Sequence, residues 1–159
     1  ETPELIAQGL VSYQASGMRQ NIYEQDGYQI YADCYNASPD AMEATLSVLG
    51  GMAGNGRRFA VLGSMLELGD YAEEGHRRAG RAAAQYADAL YAYGPDAAAM
   101  VAGAREKGME HAYAFDDQTA LVAALREDAK KGDALLFKGS RGMRMERALA
   151  MFLGEEVEA

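Results

Sequence analysis

From Phe59 onward the chain repeats one rhythm, a short apolar run, a loop and a helix-patterned stretch, and that rhythm leaves few folds open. The runs are Phe59-Ala60-Val61-Leu62, Ala89-Leu90-Tyr91-Ala92-Tyr93, Ala112-Tyr113-Ala114-Phe115 and Ala134-Leu135-Leu136-Phe137. A half-buried strand alternates apolar with polar residues. These runs do not, so each is read as a parallel strand covered on both faces. Parallel neighbours need helical crossovers of fixed hand. The expected architecture is α/β, an open, mostly parallel, Rossmann-like twisted sheet with helices on both faces and ligands at the carboxyl ends of its strands.

Helix ends and turns support this pattern. Ser38-Pro39 caps a helix carrying Met42, Leu46 and Leu49, and Asp117 opens another carrying Leu121, Val122 and Leu125, with Gly132 expected to close it in the left-handed conformation. Asp70 and Glu73 have capping-box spacing ahead of Ala79, Ala83 and Tyr86. Before the repeat, Arg19 to Tyr23 and Tyr28 to Ala32 flank Gln25-Asp26-Gly27, the signature of a β-hairpin. Thr2-Pro3-Glu4 begins a short helix with Leu5, Ile6, Leu10 and Val11. The glycines of 50–56 follow a helix and precede a strand, so they are expected at the sheet edge away from any ligand.

Length and charge narrow the function. A chain of 159 residues, 49% hydrophobic, makes one domain over 1–159 with a real core. Its first residue, Glu1, is not methionine, which gives the expectation of a longer parent protein. A formal net charge of -9 repels nucleic acid and anionic membranes, so small molecules and proteins are the expected ligands. One cysteine, Cys34, suits a reducing compartment, and no apolar run reaches the roughly 20 residues that span a bilayer; the expected location is the cytoplasm.

No G-x-x-x-x-G-K-[ST] or G-x-G-x-x-G segment occurs, so the chain has no phosphate-cradling loop of its own. Polar residues instead gather at three strand ends. Asp33-Cys34-Tyr35-Asn36-Ala37-Ser38-Pro39 brings an acid, an amide and a hydroxyl to a helix N-terminus, a ligand site or a hydrogen-bonded turn. Leu62-Gly63-Ser64-Met65-Leu66-Glu67-Leu68-Gly69-Asp70 is longer than capping needs, and its bland reading is a hydrophobic plug. Phe137-Lys138-Gly139-Ser140-Arg141-Gly142-Met143-Arg144 ends a strand in cations and glycines, a good place for a carboxylate or phosphate. His76 and His111 stand apart with no nucleophile beside them and read as surface or helix-packing residues. Glu73, Glu74, Arg77, Arg78 and Arg81 read as a solvated helix face with local ion pairs.

Four stretches together carry a family resemblance: Gly17-Met18-Arg19-Gln20, Asp33 to Asp40, Ala60 to Gly69, and Lys138 to Glu146. They resemble the C-terminal domain of the bacterial Mur ligases, most closely the branch that adds D-alanyl-D-alanine, and the likeness spans nearly the whole chain. The sequence departs from the family at Ser38, where Asn is usual, and at Ser64, where Asp is usual. The resemblance implies a three-domain enzyme whose central domain holds ATP and Mg2+ and whose first domain holds the uridine nucleotide. This chain would be the third domain, with 1–17 as the linker helix. The implied reaction phosphorylates the terminal carboxylate of UDP-N-acetylmuramoyl-tripeptide, and the amine of D-alanyl-D-alanine then attacks the acyl phosphate. Arg19 would act catalytically on the ATP phosphates; Asp33, Tyr35, Asn36 and Ser38 would join it in holding ATP. Lys138, Gly139, Ser140 and Arg141 would hold the dipeptide, and the metal ligands would lie outside this chain. Two rivals stay open: a sister ligase adding a single amino acid, and a non-catalytic α/β binding module.

Overall fold

The hairpin forms where the Asp-Gly pair places it. Strand β1 (Asn21–Gln25) pairs antiparallel with β2 (Tyr28–Asp33), and Gln25 faces Tyr28 across a two-residue turn. Asp26 and Gly27 have φ of +55° and +88°, the double positive φ that a twisted two-residue hairpin requires. The computed structural model describes residues 21–34, 37–52 and 54–155, so the expected opening helix, the 1–17 linker and the first two residues of the expected strand at Arg19 lie outside the described residues.

After β2 the described chain runs α1 (Pro39–Leu49), β3 (Arg58–Gly63), α2 (Ala72–Tyr86), β4 (Ala89–Tyr93), α3 (Ala97–Glu106), β5 (Ala112–Phe115), α4 (Gln118–Asp128), β6 (Ala134–Lys138) and α5 (Met145–Phe152). Among the described residues the strands make one sheet in the order β1-β2-β6-β3-β4-β5, parallel except for β1. The glycines of 50–56 precede β3 at the sheet's amino edge, as expected. The chain steps outward from β2 to β5 and then returns, inserting β6 between β2 and β3. That reversal sends α4 to the opposite face from α1, α2 and α3, because crossovers keep one hand.

The strand pleat sorts the core in two. Ala60, Leu62, Leu90, Ala92 and Leu136 pack with Met42, Leu46, Ala83 and Met100 of α1, α2 and α3. Their strand neighbours Phe59, Val61, Tyr91, Leu135 and Phe137 pack with Leu121, Leu125, Leu149 and Phe152 of α4 and α5. Each fully buried Leu or Phe contributes about 1.5–3 kcal/mol, which makes the central strands the stable frame. Helices α2 and α3 touch backbone to backbone: a Cβ at Gly80 would lie 1.9 Å from the Met100 carbonyl oxygen, and one at Gly103 would lie 2.2 Å from that of Arg77.

Four expectations need correction. Strand β5 is not covered on both faces; it is the outer strand, with Tyr113 and Ala114 exposed. Asp70 and Glu73 do not form a capping box, because Gly69–Tyr71 is a 3-10 turn and α2 starts after Tyr71 without a side-chain cap. Gly132 has φ +96° but does not close α4, which ends at Asp128 with an extended cap residue, Ala129. The charged face of α2 is more than local: Arg78 reaches Asp40 and Glu43 on α1, and Arg77 and Arg81 share Glu106 on α3. Ser38 and Asp117 do cap their helices, accepting from the N–H of Ala41 and Ala120.

Candidate functional site

The parallel strands deliver their carboxyl ends to one edge, where Asp33 of β2 lies opposite Lys138 of β6 in register. Lys138 Nζ donates to Asp33 Oδ2 at 2.6 Å, and the two side chains are 2% and 10% exposed. Thr45 on α1 donates to the same carboxylate oxygen at 3.5 Å. Residues 105 apart thus form one buried ion pair behind the edge. Cys34, next along, donates weakly to the Phe137 carbonyl at 3.4 Å. Burial pushes its thiol up to about 12, aided by the charges of Glu146 and Asp33.

In front of that pair, the loops after β3 and β6 are bonded to each other. Ser140 N–H donates to the Ser64 carbonyl at 3.2 Å, and Leu66 N–H donates to Ser140 Oγ at 2.8 Å. The approach depends on two glycines, since a Cβ at Gly139 would come within 2.9 Å of Gly63 Cα. Ser64 is fully buried; its Oγ donates to the Tyr93 carbonyl at 3.1 Å and accepts from Asp96 N–H at 3.0 Å. The hydroxyl therefore splices the β3 loop to the β4 loop, a role that does not need an acid. His76 is also fully buried: its Nε2 accepts from Met65 N–H at 2.8 Å, which leaves Nδ1 to donate to the Ala72 carbonyl at 2.7 Å. That pattern requires the neutral ring with its proton on Nδ1.

The residues expected here divide three ways. Arg19, Tyr35 and Asn36 lie outside the described residues. Asp33, Lys138, Gly139 and Ser140 come together at the carboxyl edge, with Asp33 and Lys138, assigned to different ligands, joined as one pair. Ser38 spends its hydroxyl on the α1 cap, and Arg141 is exposed at the start of a 3-10 turn, Arg141–Met143. The plug reading of the β3 loop holds for buried Met65 but not for Leu66 and Glu67, which are exposed. Sequence reasoning read His76 only as a surface or helix-packing residue, and it passed over Gln118, whose Nε2 donates to the carbonyls of Met143 and Arg144 at 3.0 and 3.1 Å. The Gln118 contact had no sequence signal, since it joins α4 to a loop 25 residues away. Among the described residues, no group of three or more His, Cys, Asp or Glu side chains could hold a metal ion.

A crevice between strand ends whose loops leave for opposite faces is the usual ligand position in open α/β sheets. Comparison with known proteins gives this one a family: the model described as "Mur ligase, glutamate ligase domain" matches residues 18–141. The chain belongs to the Mur ligase family. It corresponds to the C-terminal domain of these ligases, and its sheet with the leading hairpin is the Mur ligase C-domain fold. The UDP-N-acetylmuramoyl-tripeptide--D-alanyl-D-alanine ligase of Bacillus subtilis is 37% identical over 147 residues, covering 91% of this chain and 32% of that protein. The MurF ligase of Thermotoga maritima, solved in complex with ADP, superposes with a TM-score of 0.76 at 33% identity, over 91% of this chain and 32% of that one. A MurF structure from Acinetobacter baumannii gives 0.81 at 30% identity, over 98% of this chain and 34% of that one. The Mur ligase domain described here thus spans about a third of the length of these relatives.

Proposed function

We propose that this chain is the third domain of an ATP-dependent ligase that joins D-alanyl-D-alanine to UDP-N-acetylmuramoyl-tripeptide, with 1–17 as the link from the central domain. The observation that carries the reading is the 37% identity to the Bacillus subtilis enzyme over 91% of the chain, a span that includes loops bonded to each other at the carboxyl edge. In the proposed reaction a tripeptide carboxylate oxygen attacks the γ-phosphorus of ATP and ADP leaves. The free amine of the dipeptide then attacks the acyl carbon, and inorganic phosphate departs as the amide forms. ATP supplies the phosphoryl group that makes the carboxylate carbon electrophilic.

Of the residues expected to hold ATP, the two that are described, Asp33 and Ser38, bond to the protein itself. Asp33 Oδ2 is already engaged with Lys138 and Thr45, and Ser38 Oγ with a backbone N–H, so neither offers a free cradle for a triphosphate. The triphosphate and Mg2+ would be held mainly by the central domain, with Arg19, Tyr35 and Asn36 meeting the nucleotide from this side. The Asp33–Lys138 pair would fix the edge from which Gly139, Ser140 and Arg141 meet the dipeptide. A preformed, internally bonded edge suits a domain that closes over a hydrolysable acyl phosphate and keeps water out. The parent would work in the cytoplasm, on small-molecule substrates and against its own other domains.

The test is ADP release by the full-length parent with the nucleotide tripeptide. Release that requires D-alanyl-D-alanine supports the reading. Equal or faster release with a single amino acid moves the chain to a sister ligase, and no release with any amine leaves only the binding module.

A further inference from the structure

The buried face of α2 is made of residues with little or no side chain, Gly75, Ala79, Gly80, Ala82 and Ala83. His76 is the exception, fully buried and polar. An imidazole out of water is costly unless both nitrogens are bonded, and an apolar side chain of similar size would serve packing alone. Here both are bonded, Nδ1 to the Ala72 carbonyl one turn back on the same helix and Nε2 to Met65 N–H in the β3 loop. The Asp96 carboxylate lies 3.8 Å from Nε2, beyond hydrogen-bond reach, so the Nε2 lone pair belongs to Met65.

Met65 stands in the middle of a tied segment. Before it, the Ser64 hydroxyl bonds to Tyr93 and Asp96, and the Ser64 carbonyl accepts from Ser140 N–H. After it, Leu66 N–H donates to Ser140 Oγ. The Leu66 side chain lies over the loop after β6, where a Cβ at Gly142 would come within 2.9 Å of Leu66 Cδ1. The next residue, Glu67, holds φ +66°, a left-handed conformation that a non-glycine residue keeps only where its surroundings impose it. Among these ties the bond at Met65 is buried, so water does not replace it while the loop stays down.

We propose that His76 is a positioning residue for the ligation: its Nε2 holds the β3 loop down against the loop after β6 and so keeps water from the acyl phosphate at the carboxyl edge. The inference rests on the ligase reading above and adds what couples ATP consumption to amide formation. Without the acceptor, Met65 N–H is left unpaired unless the loop lifts to reach water. Water then attacks the acyl carbon in place of the dipeptide amine. The bond from that carbon to the phosphate oxygen breaks, and the carboxylate, inorganic phosphate and a proton are released. ATP has been consumed and no amide has formed.

The experiment measures ADP released per amide formed by the full-length enzyme with ATP, the nucleotide tripeptide and D-alanyl-D-alanine, for wild type, His76→Asn and His76→Gln. Asparagine ends near the place of Nδ1 and keeps a donor for Ala72, whereas glutamine reaches the place of Nε2 and keeps an acceptor for Met65. Wild type and His76→Gln should stay near one ADP per amide. Loss of the acceptor should shift the balance between docked and lifted loop about fivefold to a hundredfold, so His76→Asn should release at least about two ADP per amide. A role in packing or stability alone lowers the amount of active enzyme and leaves that ratio where it was. A ratio near one in His76→Asn, or equal rises in both variants, overturns the inference. If His76→Asn fails to fold, hydrogen exchange in the wild-type enzyme decides: Met65 N–H should exchange at least about a hundredfold more slowly than exposed backbone, and exchange at the exposed rate would refute the tie. No amide from wild type overturns the functional reading, and this inference with it, an outcome distinct from a wild type that ligates while His76→Asn stays coupled.

Discussion

Removing Asp33 should destabilise the domain far more than removing both Asp33 and Lys138. The Lys138 ammonium lies 2.6 Å from Asp33 Oδ2, with side chains 2% and 10% exposed, between the carboxyl ends of adjacent strands. In Asp33→Ala the cation stays buried without its carboxylate, and breaking a buried pair from one side costs about 3–5 kcal/mol. A domain of 159 residues has a total stability on the order of 8–24 kcal/mol, so the loss is a large share of it. At about 2–4 °C per kcal/mol, the thermal midpoint should fall by roughly 6–20 °C. The double variant Asp33→Ala, Lys138→Met leaves no charge and puts an unbranched apolar chain in the lysine's place, so it should recover most of that loss. The assay is urea unfolding followed by circular dichroism for wild type, both single variants and the double variant. Losses that simply add, with a coupling energy below about 0.5 kcal/mol, would refute the claim that the pair acts as a unit.

Gly80→Ala should cost about 1–3 kcal/mol or more in the same assay, because the added methyl would sit 1.9 Å from the Met100 carbonyl oxygen and force α2 from α3; an unchanged midpoint would contradict that packing. Tyr91 donates to Asp128 Oδ2 at 2.7 Å. Burial raises the Asp128 carboxyl, but the bonds from Tyr91 and Arg57 more than offset it and hold it below its ordinary range. Stability from such a group is present above the unfolded carboxylate pKa of about 3.9 and is lost as pH falls through the folded value. Tyr91→Phe should therefore cost about 1–2 kcal/mol at pH 7, discounted for the 31% exposure of Asp128, and the gap to wild type should close under acid, as urea titrations across pH would reveal. Cys34, buried and held near 12, should resist a thiol reagent at pH 8 in the folded chain and react once urea unfolds it; rapid reaction of the folded chain would mean that the strand end opens.

Much of the frame was legible because its signals are local. The Asp26-Gly27 hairpin, the Ser38 and Asp117 caps and the apolar runs of β3, β4 and β6 each need only a few neighbouring residues. Local reasoning failed where tertiary packing chose between equal options. Ala112 to Phe115 looks like a covered strand, yet its place in the sheet order makes it the outer one. Asp70 and Glu73 have the spacing of a capping box, but the 3-10 turn at Gly69–Tyr71 moves the helix start past Asp70. At the site, Asp33 and Lys138 were each visible at a strand end, whereas their pairing was not, since the return of β6 between β2 and β3 creates it. The same reversal brings the start of α4 against the loop after β6, so the bond from Gln118 to the Met143 carbonyl exists only after the sheet has been wound. His76 gave one readable hint, a histidine on the buried face shared with Ala79 and Ala83 of α2, which marks it as interior although not as the acceptor for Met65.

The most direct measurement is the mass of the nucleotide product after the full-length parent has been incubated with ATP, UDP-N-acetylmuramoyl-tripeptide and D-alanyl-D-alanine. The proposed ligase should give the substrate mass plus one dipeptide less one water, with one ADP formed per product. A nucleotide of unchanged mass, or one that gains a single amino acid in its place when both amines are offered, would contradict the proposed activity.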